Sequence, residues 1–316
     1  MKENYLLTGA TGLIGSALLR KLVAEGSSVT CPIRNKEKAK KLFDEDIYDK
    51  VCWKEMLLET YLHDIDEHFD YIIHCASPTS GKYMVEHPVE TYEFIIESTR
   101  ALLQYAYKHK VKGMVYVSSL EYYGQNFNED IITEDFEGYI EPTSPRSSYP
   151  LGKRAAEYLC AAYASEYNVP VRIARLTQTF GPGISADDNR VFAQFARSVI
   201  DKEDIVLHTD GESAKPYCHV YDCVDAILTI LDKGNLGEAY NVANEDTYIS
   251  VKDMAEFVQK NFNPEHKVVI QKRDDMGYAP VTKLRLSTQK LRDLGWSPKY
   301  SLYEMFKSLI VSISKR

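Results

Sequence analysis

A tyrosine and a lysine stand four residues apart in SPRSSYPLGKRAAE, at Tyr149 and Lys153. Positions i and i+4 of a helix share one face, so the spacing predicts an ammonium beside a phenol. That cation would favour the phenolate and bring the tyrosine toward a useful range for taking up a hydroxyl proton or giving it back. Pro150 follows directly and disfavours helical torsions at Tyr149, a conflict that disappears only if the helix begins there. Upstream, SSLEYYG brings two further groups, Ser119 and Glu121. Glu121 admits two readings: a strand-end carboxylate paired with a nearby cation, or a second acid/base whose pKa partial burial would have to raise.

The other chemically informative stretch is TGATGLIG, which follows the first apolar run and opens the helical segment SALLRKLVAEG. In that strand, turn and helix context a glycine triplet predicts a dinucleotide pyrophosphate. Gly9 permits the tight turn, Gly12 lets backbone approach the phosphates, Gly15 lets helix and strand pack closely, and the helix N-terminus faces the anion. Cofactor choice is read at the end of the second strand. There SVTCPIRNKEKAKK has no acid for an adenosine ribose and sets Arg34 just past Ile33, with Lys36 and Lys38 behind. This favours NADP(H) over NAD; the alternative is that Arg34 is a solvated surface charge. The acid that would contact adenine stays open among Glu55, Glu59 and Asp64.

These groups need a scaffold. The apolar runs YLLT, SVTCPI, VCW, YIIHCA, GMVYVSS, VRIARL and EAYNVA alternate with helical segments, the pattern of a parallel sheet covered on both faces. The expected fold is α/β: a Rossmann-type doubly wound dinucleotide domain over residues 1–176, and a smaller C-terminal α/β substrate lobe over 177–316. That lobe is discontinuous because a strand near 238–243 returns to the sheet. Two helices, about Val89 to His109 and Pro150 to Tyr167, are apolar over more than one face, and Tyr92, Tyr105, Tyr158 and Tyr163 on them read as packing residues.

With 316 residues, 44% hydrophobic and 27% charged, the chain has material for a large core. Its net charge of -8 and scattered basic residues speak against nucleic acid or anionic lipid and for a small-molecule partner. No apolar run is long enough for a bilayer, and the N-terminus passes straight into the first strand without room for a leader. Six cysteines show neither C-x-x-C nor metal-ligand spacing, and His74 reads as a strand-end histidine. Reduced thiols, no metal and a cytoplasmic location are expected.

Taken together, TGATGLIG, HCASP at 74–78, SSLEYYG, the Tyr149/Lys153 pair and LGWSP at 294–298 resemble the extended short-chain dehydrogenase/reductases, the NAD-dependent epimerase/dehydratase family of nucleotide-sugar enzymes, over nearly the whole chain. In HCASPTSGKYMVEHPVET, PRSSYPLGKRAAE and NRVFAQFARSVI the nearest likeness is to UDP-glucuronate decarboxylases. The resemblance implies that Ser119 bonds a substrate hydroxyl, Tyr149 is the acid/base, Lys153 holds both ribose and tyrosine, and Glu121 assists beside the sugar ring. It adds Thr11, Leu13, Ile14, Cys75, Ala76 and Ser77 to the dinucleotide site, and Gln178, Lys215 and Arg273 to the substrate site. It also implies a homodimer in which the two apolar helices build a four-helix bundle.

Departures from the family pattern matter as much. Leu120 stands where dehydratases have a proton-donating aspartate and decarboxylases a serine, so water elimination is disfavoured. Lys215 lies near a decarboxylase arginine and keeps the charge without the fork; Gln178 and Leu286 replace polar family residues. The expected function is NAD(P)-dependent epimerisation or keto-reduction of a nucleotide sugar, ranked ahead of decarboxylation. A non-catalytic NADP-binding regulatory protein is the alternative from another class, and the intact Ser119, Tyr149 and Lys153 argue against it.

Overall fold

All seven apolar runs become strands of one sheet in the computed structural model, which describes residues 2–63, 65, 67–127, 130–273 and 281–315. Strands β1 (Asn4–Thr8), β2 (Ser28–Ile33), β3 (Val51–Glu55), β4 (Tyr71–His74) and β5 (Gly113–Ser119) come first. After the short β6 (Ile131–Ile132) the sheet resumes with β7 (Val171–Leu176). Outside it lie β8 (Gln178–Phe180), β9 (Ile205–Leu207) and β10 (Ala214–His219), and β11 (Ala239–Val242) then returns to its edge. The series ends with β12 (Asn244–Ser250), β13 (Val268–Ile270) and β14 (Arg285–Leu286).

Across the main sheet the order is β11-β7-β5-β4-β1-β2-β3, parallel throughout. Such strands are covered on both faces, which is why they read as continuous apolar runs rather than alternating ones. The chain winds one way from β1 and the other way from β4, so a crevice opens beyond the carboxyl ends of these two neighbours. The smaller sheets are β12-β10-β8, β13-β9 and β14-β6.

The helices are α1 (Leu13–Ala24), α2 (Lys36–Leu42), α3 (Glu45–Tyr48), α4 (Leu58–His63), α5 (Gly81–Glu86), α6 (Pro88–His109), α7 (Ser148–Tyr167), α8 (Val191–Asp201), α9 (Val220–Lys233), α10 (Val251–Phe262), α11 (Gln289–Arg292) and α12 (Leu302–Ser314). Leu18, Leu19 and Leu22 of α1 and Ile227 and Ile230 of α9 bury one face of the sheet. Leu102 and Leu103 of α6 with Ala156 and Cys160 of α7 bury the other. A separate cluster, including Phe180, Phe192, Met254 and Phe306, joins β8 to α8, α10 and α12.

Two local expectations are corrected. Helix α7 begins at Ser148, after a 3-10 turn at Pro145–Ser147, so Pro150 falls in its first turn. The first four N–H groups of a helix have no intrahelical acceptor, so the missing proline N–H costs nothing there. Packing explains Tyr105, 5% exposed, but not Tyr158, which is 73% exposed on α7. Tyr92 is also exposed, on α6. His74 is buried at its strand end, bonded at Nδ1 to Thr8 Oγ1 (2.7 Å) and at Nε2 to Ser98 Oγ (3.3 Å), and burial lowers its pKa to about 3.

Candidate active site

The glycine turn sits at the carboxyl end of β1 and packs on the loop that follows β4. Gly9 has φ +72°, and a Cβ there would lie 2.8 Å from Ala76 N and from the Cys75 carbonyl carbon. Gly15 is tighter still, since its Cβ would meet Gly9 O at 2.2 Å. Gly12 is different: it is exposed, and a Cβ would touch only Gly9 O, at 3.3 Å, leaving its outer side open. No side chain caps the N-terminus of α1, so its first N–H groups are available to an anion. Leu13 and Ile14 pack on the cores beneath, Thr11 is half-buried, and Ser77 Oγ is buried with no hydrogen-bonding partner among the described residues. An uncapped helix, an open glycine face and an orphaned hydroxyl fit a dinucleotide.

Tyr149 and Lys153 occupy the sheet-facing side of the first turns of α7, and both are buried. Lys153 Nζ donates to Val117 O at 2.9 Å and lies 4.7 Å from the Tyr116 ring centroid and 5.5 Å from that of Tyr149. Burial lowers Lys153 to about 8, with Glu157 the chief opposing charge. The expectation that the lysine acidifies the tyrosine is overturned in the free chain. Burial pushes the Tyr149 phenol well above its ordinary value, and the Glu121 charge adds to this, against smaller favourable contributions led by Ser119 and Arg146. Desolvation of the buried phenol outweighs these favourable contributions, and the Lys153 ammonium spends its hydrogen bond on a backbone carbonyl.

Glu121 lies not in β5 but in the 3-10 turn Leu120–Tyr123 that follows, where Ser119 Oγ accepts its N–H at 3.2 Å. Its carboxylate is gripped by Arg146, whose Nη2 donates to Oε1 at 2.9 Å and to Oε2 at 2.7 Å. The paired-carboxylate reading is the geometry observed. Arg146 was not singled out in the sequence, although it stands three residues before Tyr149. Its Nη1 is buried with no partner among the described residues. Leu120 is buried with Tyr123, Ile132, Ala243, Leu284 and Leu286, so that position is apolar wall.

Lys215 on β10 is half-buried, lowered by burial and within electrostatic reach of Glu121; it has no hydrogen bond or ion pair among the described residues. Gln178, half-buried, pairs in register with Tyr217 on the same strand. Arg273 is exposed, its N–H on His208 O at 3.1 Å, and no contact joins it to Tyr149 or Lys215 among the described residues. At the far end of the crevice Arg34 is exposed and has no ion pair among the described residues, and Glu55 accepts the Lys36 N–H at 2.9 Å. The Glu59 side chain and Asp64 lie outside the described residues.

Both halves of this crevice belong to a dinucleotide-dependent α/β enzyme. The family can be stated as well: the NAD dependent epimerase/dehydratase family model matches residues 5–243, and the chain belongs to that family. It is similar to UDP-glucuronic acid decarboxylase 4 of Arabidopsis thaliana, 27% identical over 317 residues, which cover 99% of this chain and 69% of the relative. It is also similar to UDP-N-acetyl-alpha-D-glucosaminuronate decarboxylase of Bacillus cytotoxicus, 28% identical over 305 residues, 93% of this chain and 92% of the relative. Among solved structures, UDP-glucose 4-epimerase of Thermotoga maritima shares the fold at a TM-score of 0.86 and 24% identity over 99% of each chain. UDP-glucuronic acid 4-epimerase of Bacillus cereus, solved in complex with NAD, does so at 0.78 and 21%, again over 99% of each.

Proposed function

We propose that the chain oxidises and reduces a ring carbon of a nucleotide-activated sugar, with epimerisation or keto-reduction as the outcome. One observation carries the reading: the loop at 75–77 packs on Gly9 and also reaches Lys153 and Tyr149, so phosphate cradle and phenol share one crevice. The sugar nucleotides named for the relatives support the substrate class. Gly9, Thr11, Gly12, Leu13, Ile14, Gly15, Cys75, Ala76 and Ser77 would hold the dinucleotide, which when bound supplies a hydride acceptor and donor. Tyr149 takes the sugar hydroxyl proton or returns it to a ketone. Ser119 aims that hydroxyl, and Lys153, cationic at neutral pH, counters charge developing on the phenol. Residues 1–176 and the returning strand serve the dinucleotide; 177–316, with Gln178, Lys215 and Arg273, serve the sugar nucleotide in the cytoplasm. Leu120 has no proton to give a departing hydroxyl, which disfavours dehydration.

A second reading, decarboxylation, is favoured by the Lys215 ammonium and by Nη1 of Arg146, which have no partner among the described residues and are two cations near Glu121 that suit a sugar carboxylate. Oxidation beside a carboxyl-bearing carbon would give a β-keto acid that loses carbon dioxide. Incubating the protein with NAD and NADP against nucleotide sugars, UDP-glucose and UDP-glucuronate among them, and weighing the products separates the branches. Unchanged mass with altered stereochemistry means epimerisation, gain of hydrogen means reduction, and loss of carbon dioxide means decarboxylation. No product from any combination discards the proposal.

For the cofactor, Arg34, exposed and without an ion pair among the described residues, supports NADP(H). Arg34→Glu should weaken NADP binding roughly tenfold, as expected for one lost charge-assisted bond of about 1.5 kcal/mol, and spare NAD; equal loss for both dinucleotides in calorimetric titrations would refute the preference. For assembly, Val89, Tyr92, Tyr107, Tyr158 and Tyr167 leave an exposed apolar stripe along α6 and α7, which supports a homodimer through a four-helix bundle. Sedimentation should show a dimer that Tyr158→Glu dissociates, and a wild-type monomer at every concentration removes the prediction.

A further inference from the structure

Among the described residues one ion pair is buried on both sides: Glu157 of α7 with Arg175 of β7, each side chain 5% exposed. Its carboxylate is saturated. Arg175 Nε donates to Oε2 at 2.9 Å and to Oε1 at 3.2 Å, Nη2 donates to Oε2 at 2.7 Å, and the Ser118 hydroxyl donates to Oε1. The remaining guanidinium nitrogen, Nη1, donates to the Tyr123 hydroxyl at 2.9 Å and to Glu134 O at 2.7 Å, and Tyr123 donates onward to Asn241 Oδ1 at 2.6 Å. The guanidinium also lies 3.5 Å over the Tyr122 ring.

Such a pair adds little net stability, because desolvating two charges costs about as much as their attraction returns. Its place in the fold is what sets it apart. Lys153 and Tyr149 stand one and two turns before Glu157 on the same helix. Ser118 precedes Ser119 on β5, Tyr122 and Tyr123 share a 3-10 turn with Glu121, and Asn241 belongs to the returning strand β11. Ser118, Tyr122 and Tyr123, three of the groups the pair holds, are therefore attached to the strand end and turn that carry Ser119 and Glu121.

We propose that Glu157 and Arg175 form a positioning pair that fixes the Tyr149/Lys153 helix against the Ser119/Glu121 turn and gives the Lys153 ammonium its counter-charge. The proposal rests on the function assigned above. Around Lys153 stand Glu157, Cys160 and Tyr149 of α7, Tyr116 and the Val117 carbonyl of β5, His74 and Cys75 at the end of β4, and Glu121. Glu157 acts on it most strongly of the two carboxylates, while burial has already lowered the ammonium to about 8. Without Glu157, Lys153 would lose its proton nearer neutrality.

Two variants separate charge from geometry. Glu157→Gln with Arg175→Met removes both charges at similar volume, whereas Glu157→Gln alone would strand a buried guanidinium. Arg175→Lys keeps the charge and loses the fork. Lys153 ionisation is read by a lysine 13Cε titration of the free protein, which needs no substrate and stands even if the assigned reaction is wrong; absence of turnover in the wild type would count against that reaction alone. In the double variant Lys153 should titrate about one pH unit lower, and kcat should fall about thirtyfold with KM within about twofold. In Arg175→Lys the titration should be unchanged and kcat lower by about tenfold. An unshifted Lys153 in the double variant, or wild-type kcat in both, overturns the proposal. If the double variant does not fold, wild-type kcat in Arg175→Lys is enough to overturn it.

Discussion

Tyr149→Phe should lower turnover about a thousandfold, the middle of the range for a lost acid/base group, and change dinucleotide affinity by less than about threefold. The loss corresponds to about 4 kcal/mol of barrier. Among the described residues the other charged groups near the phenol are engaged: Glu121 is paired with Arg146, and Lys153 Nζ is bonded to Val117 O. Phenylalanine keeps the ring in the cluster formed by Ile95, Tyr116 and Ala156, so the fold should persist. Steady-state turnover with the best nucleotide sugar, together with calorimetric titration of NAD, tests this. Undiminished turnover would discard the mechanism, while lost dinucleotide binding would show that the ring, not its hydroxyl, was what mattered.

The second large effect is expected at the glycine turn, where two neighbouring glycines should fail in different ways. Gly15→Ala drives a methyl to 2.2 Å from Gly9 O and 2.7 Å from Gly9 C, both backbone atoms, so the turn itself must open. We expect about 1–3 kcal/mol of lost stability, the usual range for overpacking, together with loss of dinucleotide binding. Gly12→Ala adopts an ordinary backbone conformation (φ -87°, ψ 173°) and meets only Gly9 O, at 3.3 Å. It should melt like the wild type and still bind the dinucleotide at least about tenfold more weakly, because the methyl occupies the face the phosphates need. Thermal melts and NAD titrations of the two variants give the test. Wild-type binding by Gly12→Ala would mean that the phosphates do not cross that face.

The elements were legible because their signals are local. Each strand run is three to seven residues of mostly apolar or β-branched chain, and the turn at Gly9 announces itself through glycines that the backbone there requires. The helix start near Tyr149 was misplaced by two residues because the 3-10 turn before it, Pro145–Ser147, leaves no periodic pattern. The role of Arg146 leaves no local signal either. Its partner Glu121 is 25 residues away, and only the approach of two 3-10 turns brings them together.

By itself the sequence determined the parallel sheet, the phosphate turn and the placing of a phenol and an ammonium on one helical face, since all three follow from spacing over a few residues. Tertiary structure alone decided the charge relations at the centre. Whether Tyr149 is acidified or held protonated depends on how completely the sheet and α6 exclude water from it, which no local pattern records. Which cation holds Glu121, and which buried pair anchors the helix of Lys153, depends on contacts spanning 18 to 118 residues of chain. Electrostatic energy follows distance and burial in the folded molecule, and order along the chain specifies neither.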